Sequence, residues 1–121
     1  MTVTYAVTGT MVTIAAKDTL ALEDVVATRA TLRDDVRIPE CERVVIDLTG
    51  VTHFRLSLDD LRFLAQEVSP WPATARVAFV APSDLSFGSM RLYQTQLAEQ
   101  APPAQVFRRY AEALRWLDRS A

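Results

Sequence analysis

The chain has 121 residues, 50% of them hydrophobic and 23% charged, and a formal net charge of -2. This size and hydrophobic content suffice for one continuous core, so we expect a single domain over residues 1–121. The acidic balance and the scattered basic residues argue against a nucleic-acid partner. No apolar run approaches the ~20 residues that cross a bilayer, so we expect no integral membrane segment.

The single cysteine predicts a protein of the reducing cytoplasm. Cys41 has no partner for an internal disulfide, and the N-terminus lacks the pattern of a secretory signal peptide. Glu40 and Glu42 flank Cys41, and their charges oppose formation of a thiolate. An inert thiol is therefore favoured over a nucleophile.

The first half of the chain predicts a hairpin, a helix and a buried strand. β-Branched residues on both sides of the Thr-Gly-Thr sequence at 8–10 predict an opening β-hairpin within residues 3–15. Apolar residues at helical spacing, with carboxylates in the first turn, predict a helix over about 21–34. The apolar run at 44–48 is typical of a strand covered on both faces, which indicates the centre of a parallel sheet.

In the second half, helices alternate with strands. Ser57 precedes apolar residues at helical spacing, which predict a helix over 58–68. A second buried strand is predicted at 75–81, and a third helix runs from about 87 to 100, before two prolines. A short strand at 105–107 and a terminal amphipathic helix complete the pattern.

This order, ββαβαβα with one further strand or helix boundary left open, predicts an α/β fold. Strands that alternate with helices of this length form right-handed crossovers in a mostly parallel sheet. The hairpin places an antiparallel strand at the edge of that sheet. About four helices are expected to cover it.

The sequence contains no motif for catalysis or for a cofactor. His53 is the only histidine, and no Cys or second His stands at ligand spacing from it, which argues against zinc. As a general base it would need Asp47, Asp59 or Asp84 beside it, and a surface or capping role is favoured. The three separated glycines form neither a phosphate-binding loop nor a dinucleotide fingerprint. We therefore expect no enzyme, no metal and no cofactor.

Polar loop residues suggest one interaction surface. In open parallel sheets, ligands and partners collect at the loops that follow the carboxyl ends of the strands. Two such loops are predicted here, at 49–57 and 82–88, and adjacent strands would bring them together. The predicted surface includes Ser57 together with His53, Phe54, Arg55, Ser83, Asp84, Phe87 and Arg91. Ordinary loop and helix-cap roles are the alternative, and they are favoured.

Several segments give the chain a resemblance to a known family. They are residues 45–51, 58–61 after Ser57, 81–88 with 90–93, and 106–108 with 111–117. Over nearly its whole length the chain resembles stand-alone SpoIIAA-like bacterial proteins of the STAS group, which also resemble CRAL-TRIO lipid-binding domains. The resemblance implies a sheet covered by helices and no enzyme. It also implies either regulation by protein contact or the binding of a small apolar ligand.

Ser57 has two interpretations. In anti-sigma-factor antagonists of the STAS group, a partner kinase phosphorylates a serine of an Asp-Ser-Ser-Gly stretch that starts the second helix. Ser57 lies at about that place, but the sequence Arg55-Leu56-Ser57-Leu58 lacks the acidic residue, the paired serine and the glycine. Asp60 three residues later resembles a capping box, so a helix cap worth ~1 kcal/mol is the favoured interpretation.

Two functional hypotheses follow. The leading one is a regulatory module that docks an unknown protein partner through the second helix and the loops at its ends. The alternative is a carrier or sensor of a small apolar ligand, because Phe54, Phe87, Met90 and Tyr93 lie near the predicted strand ends. The sequence determines neither the partner nor the oligomeric state.

Overall fold

A computed structural model describes residues 2–119 of the chain. Its elements follow the order ββαβαβαβα, which includes, between the last two helices, the short strand that the sequence predicts at 105–107. The strands are β1 (Val3–Thr8), β2 (Met11–Ala21), β3 (Arg43–Arg55), β4 (Arg76–Val80) and β5 (Ala104–Phe107). The helices are α1 (Leu22–Arg33), α2 (Leu58–Gln66), α3 (Asp84–Gln96) and α4 (Tyr110–Asp118), with a 3-10 turn at Ile38–Glu40.

The strands form one five-stranded sheet in the order β1-β2-β3-β4-β5. β1 and β2 are antiparallel, and the turn between them uses Gly9 at a φ of +60°, a conformation that glycine adopts without a steric cost. The neighbours from β2 to β5 are all parallel. The predicted α/β fold, with a mostly parallel sheet, an antiparallel edge strand and four helices, is confirmed.

The strands β2 and β3 are longer than the sequence pattern predicts. They remain paired as far as Ala21 opposite Arg55, across two irregularities in the register, and Asp18 in this segment has a φ of +60°. The loop predicted at 49–57 is therefore wrong over most of its length. Most of its residues are exposed, like those of a loop, and the extension is held in place by its backbone pairing with β2.

The helices α2 and α3 end earlier than predicted. Glu67 and Leu97, the residues that follow them, have extended backbone with ψ of 145° and 142°. Leu97 then packs against the main core. The prolines further along the chain are therefore not the residues that end these helices.

Helices cover the sheet on both faces. The crossover helices α1, α2 and α3 share one core with the sheet, and α4 packs on β3, β4 and β5 from the other side. Val44 and Val45 point to opposite faces of the sheet, as successive strand residues do, and both are fully buried because helices cover both faces. No helix within residues 2–119 combines the length and apolar character needed to cross a membrane.

Candidate functional site

The core under the three crossover helices contains a cavity of about 100 Å³. Its walls are apolar side chains of the sheet and of all three helices. Strand residues contribute Val3, Ile14, Ala16, Leu20, Ile46, Leu48 and Phe79, helix residues contribute Val25, Leu32, Leu61, Leu64, Met90 and Tyr93, and Leu56 and Trp71 come from segments between these elements.

Helical spacing places α1 against this cavity. Val25, Arg29 and Leu32 follow one another at intervals of four and three residues, so they lie on the same face of α1. All three line the cavity. A cation thus occupies a central position on an otherwise apolar helix face.

Arg29 is buried, with 8% of its surface exposed, and joins the three crossover helices. Its Nη1 donates to the Leu64 carbonyl oxygen at 3.0 Å, and its Nη2 donates to the Tyr93 hydroxyl at 2.9 Å. Leu64 belongs to the last turn of α2, where the helix dipole is negative. No carboxylate within residues 2–119 forms a salt bridge with Arg29.

Arg29 is a site residue that the sequence analysis missed. The sequence contained one signal for it. Arg29 lies four residues after Val25 and three before Leu32, so a charged residue falls on the apolar face of the predicted helix. The sequence alone does not show whether such a side chain points inward or turns out to solvent, because arginine does both.

Part of the predicted interaction surface lies on the paired extension of β2 and β3. His53 and Arg55 are exposed there, and the His53 Nδ1 atom is 3.1 Å from the Thr52 hydroxyl oxygen. Phe54 is half-buried and packs against the main core. No Asp lies within salt-bridge distance of His53 in the described chain.

The other part surrounds the start of α3. The Ser83 hydroxyl oxygen accepts the Ser86 N–H at 3.1 Å and caps the helix. Asp84 pairs with Arg108 at 2.8 Å, and the same guanidinium lies 4.4 Å from the centre of the Phe87 ring. Arg91 is exposed one helix turn further on.

No hydrogen bond or salt bridge among the described residues links these two parts. The reason is the length of β3. Its last pair with β4 joins Asp47 to Val80, and His53 stands six residues further along β3, roughly 20 Å at the usual rise per residue. A common interaction surface therefore stays a prediction.

Ser57 is the N-cap of α2. Its hydroxyl oxygen accepts the Asp60 N–H at 3.1 Å, and the Asp60 carboxylate accepts the Ser57 N–H at 2.9 Å. Each residue thereby satisfies a backbone donor of the other, which is the reciprocal pattern of a capping box. The Ser57 side chain is also exposed.

The remaining reactive groups are the Cys41 thiol and the side chains that can bind metal ions. Cys41 is fully buried, and burial raises the pKa of its thiol, which disfavours the nucleophilic thiolate. Between residues 2 and 119, no group of three or more His, Cys, Asp or Glu side chains is placed to hold a metal ion.

Comparison with known proteins identifies the fold. No protein-family model and no curated protein matches the chain. A similar solved structure is that of an uncharacterised protein of the DUF3478 family with a SpoIIAA-like fold from Shewanella loihica PV-4, with a TM-score of 0.57 and 18% identity over 95% of this chain and 91% of that chain. The chain therefore has a SpoIIAA-like fold, as the sequence resemblance predicts.

Proposed function

We propose that this protein is a non-enzymatic binding module that takes a small apolar molecule into the cavity under α1, α2 and α3. The cavity itself is the observation that carries the proposal. Protein interiors are normally packed to the density of organic crystals, so a partly open apolar cavity of about 100 Å³ in the main core is unusual. A ligand that fills it regains the dispersion contacts that the empty walls lack.

The packing of the helices suggests where a ligand enters. α2 packs on α3, whereas α1 packs on β1 and β2. Among the residues that line the cavity, Val25, Thr28, Ile46 and Leu56 are only half-buried, and all of them except Ile46 of β3 lie in or next to a helix. Val25 and Thr28 belong to α1 and Leu56 to the segment before α2, so the entrance is proposed between these two elements.

The volume limits the ligand. Typical pockets for drug-sized molecules measure ~300–1,000 Å³, and an engineered apolar cavity of ~150 Å³ holds one benzene ring. A cavity of about 100 Å³ suits xenon or a short branched hydrocarbon group. A long lipid chain would require α1 and α2 to move apart.

Xenon binding tests the proposal. The expected result is saturable binding seen by xenon NMR, with a rise in Tm under xenon pressure. Ala16 lines the cavity, and its neighbour Ala15 is exposed on the other side of β2, so the two positions form a matched pair. Ala16→Leu is expected to abolish binding and Ala15→Leu to preserve it. Absence of binding to the unmodified protein would refute the proposal.

A regulatory protein contact is the second candidate, and exposed apolar side chains at one end of α2 and α3 favour it. Both helices are crossovers between parallel strands and therefore run in the same direction. Leu58 and Leu85, in the first turns, are 58% and 62% exposed. A protein partner that buries these leucines beside Ser57 would regain their hydrophobic free energy.

This second candidate is tested by using the protein to capture partners from a cytoplasmic extract of its native cell. We propose the cytoplasm as its compartment because the chain has a single thiol. Replacing Leu58 and Leu85 together with serine is expected to abolish capture. Val36 is 87% exposed between α1 and the 3-10 turn, so Val36→Ser is the matched control. Equal loss of capture in both variants would contradict a contact through these leucines.

A further inference from the structure

The Arg29 guanidinium is a buried cation in the wall of an apolar cavity. It retains only 8% exposure, and nearly all other cavity-lining side chains are hydrocarbon or aromatic. Removing a charge from water carries a large free-energy cost, which proteins normally offset with a counter-ion. Within residues 2–119, Arg29 has no carboxylate counter-ion.

The observed hydrogen-bond partners of Arg29 are neutral, although no fully buried side-chain nitrogen or oxygen in the described part of the chain lacks a partner. The Leu64 carbonyl and the Tyr93 hydroxyl accept two of the five N–H groups that a guanidinium offers. The C-terminal end of α2 adds a partial negative charge but no full one.

A second arginine makes a comparable contact from the surface. Arg33 lies one turn after Arg29 on α1, is exposed, and donates to the Val68 carbonyl oxygen at 2.5 Å just beyond α2. Arg33 does not line the cavity. Because an exposed arginine makes this kind of contact, the link between α1 and the end of α2 does not by itself account for the burial of Arg29.

The Tyr93 hydroxyl supplies a second donor at the same place. Its oxygen accepts from Arg29 Nη2, and no acceptor for its own proton is recorded in the described chain. A carboxylate that receives hydrogen bonds from the guanidinium and from this hydroxyl would provide the missing counter-charge in a geometry typical of charge-assisted pairs.

From this arrangement we infer that the ligand is a short branched or cyclic monocarboxylate, with its acid group at Arg29 and Tyr93 and its hydrocarbon part against the apolar walls. The inference rests on the proposed apolar-ligand function and adds the chemical class of the head group. The cavity volume of about 100 Å³ restricts the hydrocarbon part to a few carbon atoms.

Two probes with the same branched skeleton test the charge requirement. Isovalerate carries the carboxylate, and isoamyl alcohol carries a neutral hydroxyl. We expect isovalerate to bind about tenfold more tightly or better by calorimetry at neutral pH, as charge-assisted hydrogen bonds to a buried arginine predict. Equal affinities, or tighter binding of the alcohol, would overturn the acid head group while leaving the apolar function intact. If neither probe nor xenon binds, both proposals fall.

Variants separate ligand recognition from architecture. Arg29→Met is expected to abolish the preference for isovalerate over isoamyl alcohol, and the control Arg33→Met is expected to preserve it. A purely structural Arg29 would lower Tm in Arg29→Met without changing the ratio of the two affinities. Should Arg29→Met not fold, Arg29→Gln removes the charge but keeps hydrogen-bond donors, and an unchanged affinity ratio in that variant would also overturn the inference.

Discussion

The two faces of the sheet are covered in different ways. On one face a single helix, α4, packs on β3, β4 and β5 through a small cluster that includes Ala78 and Ala113, both fully buried. On the other face three helices enclose a larger core that contains the cavity. Small side chains let a single helix approach the sheet closely, whereas α1 and α2 are placed by different contacts and leave a space between them.

This difference in packing indicates which face of the sheet can hold a binding site. A close-packed face tolerates little change in volume, because each added or deleted methyl group disturbs many contacts. A face with an existing cavity tolerates added volume and loses less when a lining side chain is shortened. The cavity face is therefore the one on which a binding site is compatible with a stable core.

The largest expected effect is a loss of folding stability, and it is tested by shortening one buried leucine on each face of the sheet. Leu117 of α4 and Leu64 of α2 are each 3% exposed, but only Leu64 lines the cavity. Leu117→Ala is expected to lower the free energy of unfolding by ~2–5 kcal/mol. Leu64→Ala should fall at the lower end of this range, since its side chain already lacks neighbours on one side. Urea unfolding of both variants measures the difference, and a more costly Leu64→Ala would break the comparison.

The next effect is the change in stability when an alanine in a strand is enlarged to valine on each face of the sheet. Ala78→Val adds methyl groups to the close-packed α4 face, where overpacking costs ~1–3 kcal/mol. Ala16→Val adds the same groups to the cavity wall, where filling space is expected to leave stability within ~1 kcal/mol of the unmodified protein or to raise it. Valine suits both strands, so β propensity cancels. Thermal unfolding with the opposite order of Tm values would show that the faces do not differ in packing.

A smaller effect concerns the start of α2, the helix that borders the cavity. Ser57→Ala removes the hydroxyl that accepts the Asp60 N–H and is expected to cost ~0.5–2 kcal/mol. Ser57→Asp still offers an acceptor to that N–H and should be nearly neutral. If Ser57 instead serves as a phosphorylated switch, Ser57→Asp changes partner binding more than stability. Unchanged stability in Ser57→Ala would contradict the capping role.

The smallest effect is a pH dependence at the edge of the cavity face, where Asp35 accepts a hydrogen bond from Tyr5 of β1 at 2.9 Å. Hydrogen bonds from Arg37 hold the pKa of the Asp35 carboxyl well below its usual range. Because the folded-state pKa is lowered, this contribution is present above the ordinary Asp pKa of about 3.9 and is lost as the pH falls below it.

The measurement is the urea midpoint from pH 7 down to acid for the unmodified protein and for Asp35→Asn. The stability difference between them is expected to shrink as the pH falls below about 4, where the carboxylate of the unmodified protein begins to be protonated in the unfolded chain. A constant difference over this range would show that Asp35 is not coupled to acid unfolding.

The sequence by itself determined the fold class, because its local patterns agree with one another. The apolar run around Val44 and Val45 required a strand covered on both faces, and the spacing after Ser57 required a capped amphipathic helix. Both features depend on neighbours within a few residues along the chain. The hairpin at Gly9 is of the same kind.

Only the tertiary structure decided where the candidate site lies. The extension of β3 to Arg55 depends on a ladder with β2, whose residues are some thirty positions away in the chain, and its mixed local pattern does not distinguish a paired strand from a loop. The cavity and the inward position of Arg29 depend on how three helices settle on one sheet. Burial of a cation and the volume of a void are properties of contacts between distant segments, and no periodicity within one segment encodes them.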